Sequence, residues 1–357
     1  MSVHFYPLTI KQITKETSDC VSITFIIPEH LRNIFAYKPG QYITIKTIIE
    51  DAEVRRSYSL CSSPLDNEFK IAVKKVEGGL FSSFANDVLK AGDILEAMPP
   101  MGKFYTTLNA TNKKEYVGFA AGSGITPMLS IIKTTLQTEP NSSFSLIYGN
   151  KNSTSIIFKE QLEALKNKHL SRFQLIHILS REKTDADINY GRIDHFKCNR
   201  LFENLLNINS DEFFICGPEE MIFSVKDFLE SRMVDENKIH FELFTSAQTR
   251  TSKSSNQVAI DNSPKSNVIV KVDGRTFDFD LAFKGDNILD AALQKGADLP
   301  YACKGGVCCT CKAKLLEGAV SMDVSWGLEK EEIEQGFILT CQAHPTTDKV
   351  VVDFDVK

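Results

Sequence analysis

Four cysteines near the end of the chain constrain its fold more than any other sequence feature. They follow the spacing C-x4-C-x2-C, with the fourth thirty residues further on, and are Cys303, Cys308, Cys311 and Cys341. Three thiols so close in sequence can converge on one prosthetic group only if a tight loop wraps around it. Gly305 and Gly306 lie in this loop, and glycine tolerates backbone angles that other residues avoid. The spacing predicts a loop-bound site that a distant strand completes.

Four cysteines can bind a structural zinc ion or an iron–sulfur cluster. Structural zinc sites are mostly built from two C-x2-C pairs, whereas this chain has one such pair, extended upstream by four residues. The observed spacing is instead that of the plant-type [2Fe–2S] cluster, in which four thiolates hold two irons. We therefore predict a [2Fe–2S] cluster on the four cysteines. Cys309 is predicted to be a thiol outside the ligand set, because two adjacent cysteines do not easily reach the same iron.

The sequence around the cysteines resembles plant-type ferredoxins over nearly all of residues 266–357. The runs that carry the resemblance are DNILDAALQKGADLPYACKGGVCCTCKAKLLEGAV and GLEKEEIEQGFILTCQAHP. Upstream, NVIVKVDGRTFDFDL predicts a β-hairpin that turns at Asp273 and Gly274, ahead of a helix in ILDAALQKG. These features predict a β-grasp ferredoxin domain. The Cys308-Cys309 doublet departs from many ferredoxins, which carry a small residue at the second place.

Length and composition limit the remaining possibilities. A chain of 357 residues with 42% hydrophobic content can form two or three domains with cores of their own. Its apolar runs fall short of the roughly 18 residues that a membrane span needs, and the N-terminus lacks the pattern of a signal peptide. The five cysteines outside the predicted cluster are scattered and do not suggest a disulfide framework. The expected location is the cytoplasm.

The net charge of −5 is concentrated at the end of the chain. Residues 266–357 hold 10 basic and 15 acidic residues, whereas the rest of the chain is balanced at 31 of each. An acidic redox domain often docks on a basic face of its partner, because complementary charge speeds encounter. A solvated acidic surface explains the count equally well. Neither interpretation favours nucleic acid as a partner.

Residues 1–107 predict an antiparallel β-barrel. Short β-rich runs such as VSITFII, QYITIKTII and FKIAVKKV are separated by turn signals. Within them lies RSYS, whose residues Arg56, Ser57, Tyr58 and Ser59 supply a guanidinium for a pyrophosphate, a flat ring for an isoalloxazine and a hydroxyl for its N5 edge. These groups suit FAD. Taken alone, RSYS is equally compatible with an ordinary strand that buries a tyrosine.

A second motif in the same region points to the same cofactor. GGLFS stands at the head of a predicted helix, SSFANDVL, where unpaired backbone N–H groups attract phosphate oxygens. The residues of this motif that we expect to bind FAD are Gly79, Leu80, Phe81 and Ser82.

From about residue 113 to residue 244 the pattern changes to a parallel α/β domain. YVGFAA and SFSLIYGN predict strands, and between them GSGITP opens a helix with Gly122, Gly124 and Thr126. Two later strands, FQLIHIL and EFFICG, run into loops. Ligands of such sheets bind at the carboxyl ends of the strands. On burial statistics alone, Cys216 at the end of EFFICG is a small buried thiol.

Taken together, RSYS, GGLFS, GSGITP and the CGP turn at Cys216 resemble the ferredoxin–NADP reductase superfamily. The resemblance implies an FAD domain over residues 1–107 and an NADP domain over 113–244. It also implies that Cys216 lies beside the nicotinamide and that Glu242 and Phe244 lie near the flavin. We therefore expect Ser59, Cys216 and Glu242 at the site of hydride transfer. The polar stretch 245–265 is expected to be a linker that tethers the ferredoxin domain.

The choice of dinucleotide depends on charge near its ribose. A 2′-phosphate needs forked cationic donors, whereas specificity for NAD usually comes from an acid that binds the ribose hydroxyls. Arg181 and Arg192 lie in SRE and GRI runs that resemble those of NADP-dependent bacterial reductases. We therefore predict NADPH. Glu182 keeps NADH open as an alternative, and both arginines are also compatible with a solvated surface.

The resemblance as a whole implies a multidomain α/β plus β enzyme that moves electrons from NADPH to FAD, then to the [2Fe–2S] cluster, and finally to an oxygenase component with a di-iron centre. Another multicomponent oxygenase and the hybrid-cluster protein are alternative acceptors. A hypothesis of a different class is an iron–sulfur redox sensor or carrier without catalytic activity.

Overall fold

The computed structural model describes residues 4–244 and 264–356. These residues fall into two compact units, one of which comprises Tyr6–Val54 and Tyr58–Phe244. The second unit contains the C-terminal part of the chain together with Arg55–Ser57. The predicted linker, residues 245–265, lies outside the described residues as far as residue 263.

The N-terminal part of the first unit is a six-stranded sheet with the strand order β4-β3-β6-β1-β2-β5. Its strands are β1 (Tyr6–Thr17), β2 (Cys20–Ile26), β3 (Tyr42–Ile49), β4 (Ala52–Ser59), β5 (Phe69–Lys74) and β6 (Ile94–Ala97). Leu60, directly after β4, forms an antiparallel bridge with Ile71 of β5, so the two ends of the sheet meet. Leu8, Ile23 and Ile43 fill the interior. The result is the barrel that the alternating runs predict.

Two turns shape the barrel near its predicted cofactor motifs. Glu50 and Asp51 join β3 to β4 with φ values of 51° and 62°, as a tight hairpin of twisted strands requires. Gly78 has a φ of 69°, and Gly79 is the N-cap of helix α1 (Leu80–Asp87). The GGLFS motif therefore turns the chain from β5 into a helix, which is the predicted arrangement.

The rest of the first unit is a five-stranded parallel sheet with the order β11-β10-β7-β8-β9. Its strands are β7 (Glu115–Ala121), β8 (Ser143–Asn150), β9 (Phe173–Leu179), β10 (Glu212–Gly217) and β11 (Ile239–Leu243). The helices between them are α2 (Ile125–Thr138), α3 (Lys159–Lys168), α4 (His195–Asn204) and α5 (Glu219–Ser231). The order reverses after β9, and a crevice at the carboxyl ends of the strands is the expected ligand site of such a sheet.

The second unit contains a five-stranded sheet with the order β13-β12-β18-β14-β16 and a separate pair, β15 and β17. The strands are β12 (Lys265–Val272), β13 (Arg275–Ala282), β14 (Lys312–Glu317), β15 (Val320–Met322), β16 (Phe337–Leu339), β17 (Ala343–Pro345) and β18 (Lys349–Asp353). The helices are α6 (Ile288–Gln294) and α7 (Lys330–Glu334). Asp273 and Gly274, with φ values of 51° and 70°, form the turn between β12 and β13. The predicted hairpin is therefore confirmed, and so is the helix after it.

Across the described ranges 4–244 and 264–356, no helix combines the length and apolar character needed to cross a bilayer.

A buried carboxylate holds the far end of helix α2 against the sheet. The Glu139 side chain is fully buried. One of its oxygens accepts hydrogen bonds from the Asn109 backbone N–H at 3.0 Å and the Asn112 amide at 2.7 Å, and the other from the hydroxyls of Tyr116 at 2.9 Å and Ser142 at 2.7 Å. Four donors on three different segments thus depend on one acceptor group.

Replacing this acceptor tests its contribution to stability. Glu139→Ala leaves buried donors without a partner, and we expect it to lower the free energy of unfolding by roughly 3 kcal/mol or more. In a thermal melt the transition of this unit falls by about 6–12 °C. The control is Glu160→Ala, on the exposed face of α3, for which we expect a change below about 1 kcal/mol. Equal melting temperatures for the two variants contradict the interpretation.

Candidate functional site

The predicted flavin-binding residues of RSYS lie at the end of β4. Arg56, Ser57 and Tyr58 are half-buried, and Ser59 is buried. The Arg56 guanidinium donates to the backbone carbonyl of Arg55 at 2.7 Å. The Tyr58 ring lies 5.3 Å from the buried ring of Phe81, at an interplanar angle of 35°. Phe81, which was predicted to bind FAD, therefore packs against the Tyr58 ring and supports it.

The GGLFS residues form the N-terminal turn of α1. The Ser82 hydroxyl accepts from the Val76 N–H at 3.1 Å and donates to the Gly79 carbonyl at 3.2 Å, so it closes its own turn. A Cβ on Gly79 would lie 2.4 Å from this hydroxyl and would displace it from its two hydrogen bonds. Leu80 is exposed at the first helical position. The turn thus leaves the first N–H groups of α1 for a ligand, as an anion site at a helix start requires.

The three predicted hydride-transfer residues come from different elements and meet in the first unit. Cys216 on β10 is the direct register partner of Glu242 on β11. The Ser59 hydroxyl, at the end of β4, donates to Glu242 Oε2 at 3.2 Å. Burial raises the pKa of Glu242 to about 8, although the Ser59 hydrogen bond opposes this shift. At neutral pH the Glu242 carboxyl is therefore largely protonated.

Cys216 is a neutral thiol within the sheet. Its side chain is fully buried, and burial raises the pKa of this thiol well above its usual range, with the neighbouring Glu242 adding to the shift. The backbone of Gly124 lies against Cys216, because a Cβ on Gly124 would stand only 2.0 Å from the Cys216 carbonyl oxygen. The glycine of GSGITP and the cysteine of CGP are thus in direct contact. Such a thiol offers shape and polarizability to a neighbouring ligand, and no negative charge.

A cleft of about 870 Å³ opens at the carboxyl ends of the parallel strands. Gly122, Arg181 and Arg192, which were predicted to bind the nicotinamide dinucleotide, line this cleft. Phe244, which was predicted to lie near the flavin, lines it as well. Thr126 is buried and its hydroxyl donates to the Ser123 carbonyl at 3.0 Å, so it stabilises the start of α2 rather than presenting its hydroxyl. This volume lies within the range of about 300–1,000 Å³ that is typical of ligand clefts, and it is large enough for part of a dinucleotide.

The cleft is lined by more cationic than acidic side chains. Its cations are Lys74, Lys151, Arg181 and Arg192, and its acids are Asp194 and Glu220. Arg192 pairs with Glu220 at 3.3 Å, but both side chains are highly exposed, at 79% and 88%, and such pairs exchange partners easily.

Glu182 is the acid because of which the sequence left NADH as an alternative dinucleotide. In the structure its carboxylate binds Ser153. It accepts hydrogen bonds from the Ser153 N–H at 2.8 Å and the Ser153 hydroxyl at 2.9 Å. These bonds, the backbone one first, lower the pKa of Glu182. The carboxylate therefore stabilises the loop after β8.

Several residues that line the cleft lie outside the sequence motifs and were not predicted. Asn150 is the last residue of β8 and Lys151 follows it directly, and both line the cleft, as does Lys74 at the end of β5 in the barrel. The rule that ligands bind at the carboxyl ends of parallel strands was sufficient to find the first two. Lys74 had no such signal, because its approach to the cleft depends on how the barrel packs against the parallel sheet.

In the second unit the four predicted cluster cysteines form two pairs. Cys303 hydrogen-bonds with Cys308, and Cys311 with Cys341. In each pair the thiol that accepts has a lowered pKa and the thiol that donates a raised one, with the hydrogen bond between them as the largest cause. The pKa of Cys303 falls to about 6. Two pairs of thiols fit a centre with two irons, each of which takes two protein ligands.

The loop around these thiols turns one backbone N–H and one side-chain amide towards sulfur. The Gly305 N–H donates to Cys303 Sγ at 3.3 Å, and the Gln342 amide lies 3.7 Å from Cys341 Sγ. We expected unusual backbone angles at both Gly305 and Gly306. The expectation is confirmed at Gly306, with φ 73°, whereas Gly305 has no positive φ and Lys304, with φ 50°, takes the second unusual angle. Gly305 contributes its N–H group, which matters because such bonds stabilise sulfur-centred negative charge.

The zinc alternative requires several ligands to converge on one point. The division of the four cysteines into two pairs agrees with a binuclear group instead. Gly327 closes the loop from outside, since a Cβ there would lie 2.7 Å from the Cys308 carbonyl oxygen. The donor set and its cradle therefore fit a [2Fe–2S] cluster.

Comparison with known protein families covers each part of the chain in turn. Residues 7–105 match the oxidoreductase FAD-binding domain, residues 119–227 the oxidoreductase NAD-binding domain, and residues 270–346 the 2Fe-2S iron-sulfur cluster binding domain. FAD, a nicotinamide dinucleotide and a [2Fe–2S] cluster are thus the cofactors of this chain, as the motifs predict.

Relatives of known identity match over the whole length. The chain is 46% identical to one of the subunits of 1,2-phenylacetyl-CoA epoxidase from Escherichia coli strain K12, covering 99% of this chain and 98% of the relative. It is 34% identical to the ferredoxin reductase component of 3-ketosteroid-9-alpha-monooxygenase from Rhodococcus rhodochrous, covering 97% and 96%. The runs CKGGVCCTC and MDVSWGLE, with the order of the three domains, indicated the first of these relatives within the superfamily, and this likeness is confirmed.

Solved structures agree with the fold. Phthalate dioxygenase reductase aligns with a TM-score of 0.60 at 24% identity and covers 98% of both chains. The FAD/NAD binding domain of nitric oxide dioxygenase from Vibrio cholerae aligns with a TM-score of 0.57 at 26% identity, covering 67% of this chain and 98% of that domain. The predicted architecture is therefore confirmed. The chain belongs to the ferredoxin–NADP reductase superfamily, among the oxidoreductases that join FAD-binding, NAD-binding and C-terminal [2Fe–2S] ferredoxin domains in one polypeptide.

Proposed function

We propose that this chain is the NADPH-dependent reductase component of a multicomponent oxygenase. One observation carries the proposal: Ser59, Glu242 and Cys216 meet beside a cationic cleft in a chain that also holds two paired thiol sets. A sensor without catalytic activity has no use for a protonated carboxyl beside a dinucleotide cleft. Electrons pass from NADPH to FAD, then to the cluster, and finally to the oxygenase.

When bound, FAD accepts a hydride and releases electrons one at a time, and the cluster carries single electrons. The protein contributes orientation and charge. Arg56 offers a guanidinium for the pyrophosphate, and Tyr58 presents its ring with Phe81 behind it. Below about pH 8 Glu242 keeps its proton, so the site contains no carboxylate that would repel incoming negative charge. Cys216, whose buried thiol has a raised pKa and stays neutral, is the residue that we place beside the nicotinamide.

The proposed dinucleotide is NADPH. Arg181 and Arg192 line the cleft, and the nearby acid Glu182 is held by Ser153. A guanidinium fork matches the oxygens of a 2′-phosphate, which is absent from NADH.

The proposed acceptor is a di-iron oxygenase component that acts on phenylacetyl-CoA in phenylacetate catabolism. It rests on the 46% identity to the 1,2-phenylacetyl-CoA epoxidase relative from Escherichia coli. Another oxygenase and the hybrid-cluster protein are the alternatives, because electron-carrying motifs do not encode the acceptor. The sites at Ser59, Cys216 and Glu242, the domain limits given above and a cytoplasmic location belong to the same proposal.

The relay can be tested by breaking it between its two redox centres. In Cys303→Ser we expect NADPH oxidation with ferricyanide, which accepts electrons from flavin, to keep its wild-type rate. Reduction of cytochrome c or of the oxygenase is expected to fall at least tenfold, because the cluster has lost a ligand. Cys309→Ser is the matched control, since Cys309 lies outside both thiol pairs, and we expect it to keep both activities. A Cys303→Ser variant that reduces the oxygenase at the wild-type rate is incompatible with the proposal.

The protonation of Glu242 predicts a pH dependence. Flavin reduction by NADPH is expected to slow as the pH rises through about 8, because the carboxyl then becomes a carboxylate beside the flavin site. Glu242→Gln cannot ionise, so this alkaline limb should disappear from its profile. Stopped-flow measurement of flavin bleaching between pH 6 and pH 10 checks this, with the exposed Glu203→Gln as control. An unchanged limb in Glu242→Gln assigns it to another group.

The same pKa shift has a consequence for stability. The folded state holds the Glu242 proton more tightly than the unfolded state, in which the carboxyl has its usual pKa of 4.5. The stabilisation from this proton is therefore complete below pH 4.5 and is lost as the pH rises through about 8. The melting temperature of Glu242→Gln relative to wild type should accordingly increase across this interval.

Arginine substitutions test the choice of dinucleotide. We expect Arg181→Ala and Arg192→Ala each to raise KM for NADPH about tenfold, as the loss of one charge-assisted hydrogen bond implies, and to leave KM for NADH nearly unchanged. Initial rates with ferricyanide give both constants. Lys183→Ala removes an exposed neighbouring cation and serves as control. If both arginine variants respond equally to the two dinucleotides, specificity resides elsewhere.

A further inference from the structure

A buried ammonium group lies behind the wall of the dinucleotide cleft. The Lys197 side chain on α4 is only 5% exposed. Its Nζ donates to the backbone carbonyls of Asp187 at 3.1 Å, Ile188 at 2.9 Å and Tyr190 at 2.7 Å. All three donor positions of an ammonium are thus occupied by carbonyls of one short segment. Burying a charge in this way is costly, so the arrangement requires a reason.

The segment that Lys197 holds leads directly to a residue of the cleft. Asp187–Asn189 form a 3-10 turn, and Tyr190 is followed by Gly191 and Arg192, which line the cleft. Gly191 has a φ of 109° and donates its N–H to the Leu179 carbonyl at 3.0 Å. Within the turn the Asp187 carbonyl also accepts the Tyr190 N–H at 3.3 Å. The ammonium adds one bond to each of the three carbonyls and so ties the turn to helix α4.

Lys197 also fixes the other side of Arg192. Its backbone N–H donates to the carboxylate of Asp194 at 2.8 Å, which makes Asp194 the N-cap of α4. Between these two anchors lie Arg192 and Ile193, whose side chain is buried. The backbone on both sides of Arg192 is therefore tied to one residue.

We propose that Lys197 is a positioning residue for dinucleotide specificity, which holds the 187–192 segment so that Arg192 meets the 2′-phosphate of NADPH. The proposal rests on the proposed NADPH preference. Lys197 itself contributes no contact to the ligand, because its ammonium is committed to backbone carbonyls. It acts by restricting where the Arg192 backbone can be, which reduces the ordering cost of the phosphate contact.

The test compares Lys197→Met with wild type. Methionine keeps an unbranched apolar stem and removes the donors. We expect KM for NADPH to rise roughly tenfold, the effect of one lost charge-assisted contact, while KM for NADH changes less than about twofold. Lys197→Arg, which keeps cationic N–H donors, should retain most of the preference. Lys197→Gln keeps fewer donors and supplies the same comparison if Lys197→Met does not fold.

A double variant distinguishes an effect that acts through Arg192 from a non-specific disturbance of the fold. In an Arg192→Ala background, Lys197→Met should produce no further rise in KM for NADPH, because both changes remove the same contact. Lys226→Met, on α5 and paired with Glu230, controls for the loss of a partly buried lysine on a helix. Equal changes for NADPH and NADH in Lys197→Met overturn the proposal, and so does a full effect that persists without Arg192.

Hydrogen exchange without any dinucleotide distinguishes this proposal from the one on which it rests. The amides of residues 187–193 should exchange faster in Lys197→Met than in wild type, whichever dinucleotide the enzyme prefers. A wild-type enzyme without NADPH preference therefore contradicts the proposed function while leaving this measurement valid. Unchanged exchange in this segment shows that Lys197 does not hold it, and overturns the positioning role.

Discussion

The contact between Gly124 and Cys216 is the constraint on which the proposed hydride-transfer site depends. A single methyl group at residue 124 would overlap the Cys216 carbonyl, so the start of α2 can approach the end of β10 only with glycine there. That approach fixes Cys216, and the parallel register then sets Glu242 beside it on β11. Ser59 reaches Glu242 from the barrel. Three residues that are far apart in sequence thus take their places from one close backbone contact.

The cluster loop depends on a different constraint, because three of its four predicted ligands are close in sequence and the chain must turn their thiols inward. Lys304 and Gly306 adopt left-handed angles, which reverse the chain between Cys303 and Cys308 and direct N–H groups towards sulfur. A lysine in this conformation is strained relative to glycine, and strained backbone persists only where its surroundings hold it. Lys304 is held partly by its ion pair with Asp290 at 2.6 Å. The site is thus supported by a residue of helix α6.

Local signals made most of the fold predictable. The turn at Asp273 and Gly274 and the period of the strands depend on neighbouring residues, so sequence alone identifies them. The cluster spacing is equally local for three of its four ligands. The roles of Ser82 and Thr126 were harder to predict, because a hydroxyl in a glycine-rich motif serves a ligand or its own turn with equal ease. Glu139 carried no motif at all, and its four donors come together only in the folded chain.

The net charge of a sequence segment does not predict the charge that lines the cleft. Arg181 and Glu182 are neighbours, so their charges cancel in any sequence-based sum. In the fold they part, since Glu182 turns to Ser153 while Arg181 lines the cleft. Arg192 has an exposed side chain like many surface arginines. Its backbone differs from theirs, because the buried Lys197 binds the preceding segment at the Tyr190 carbonyl. In the proposed mechanism, specificity therefore depends as much on which backbone segment is held in place as on which charges are present.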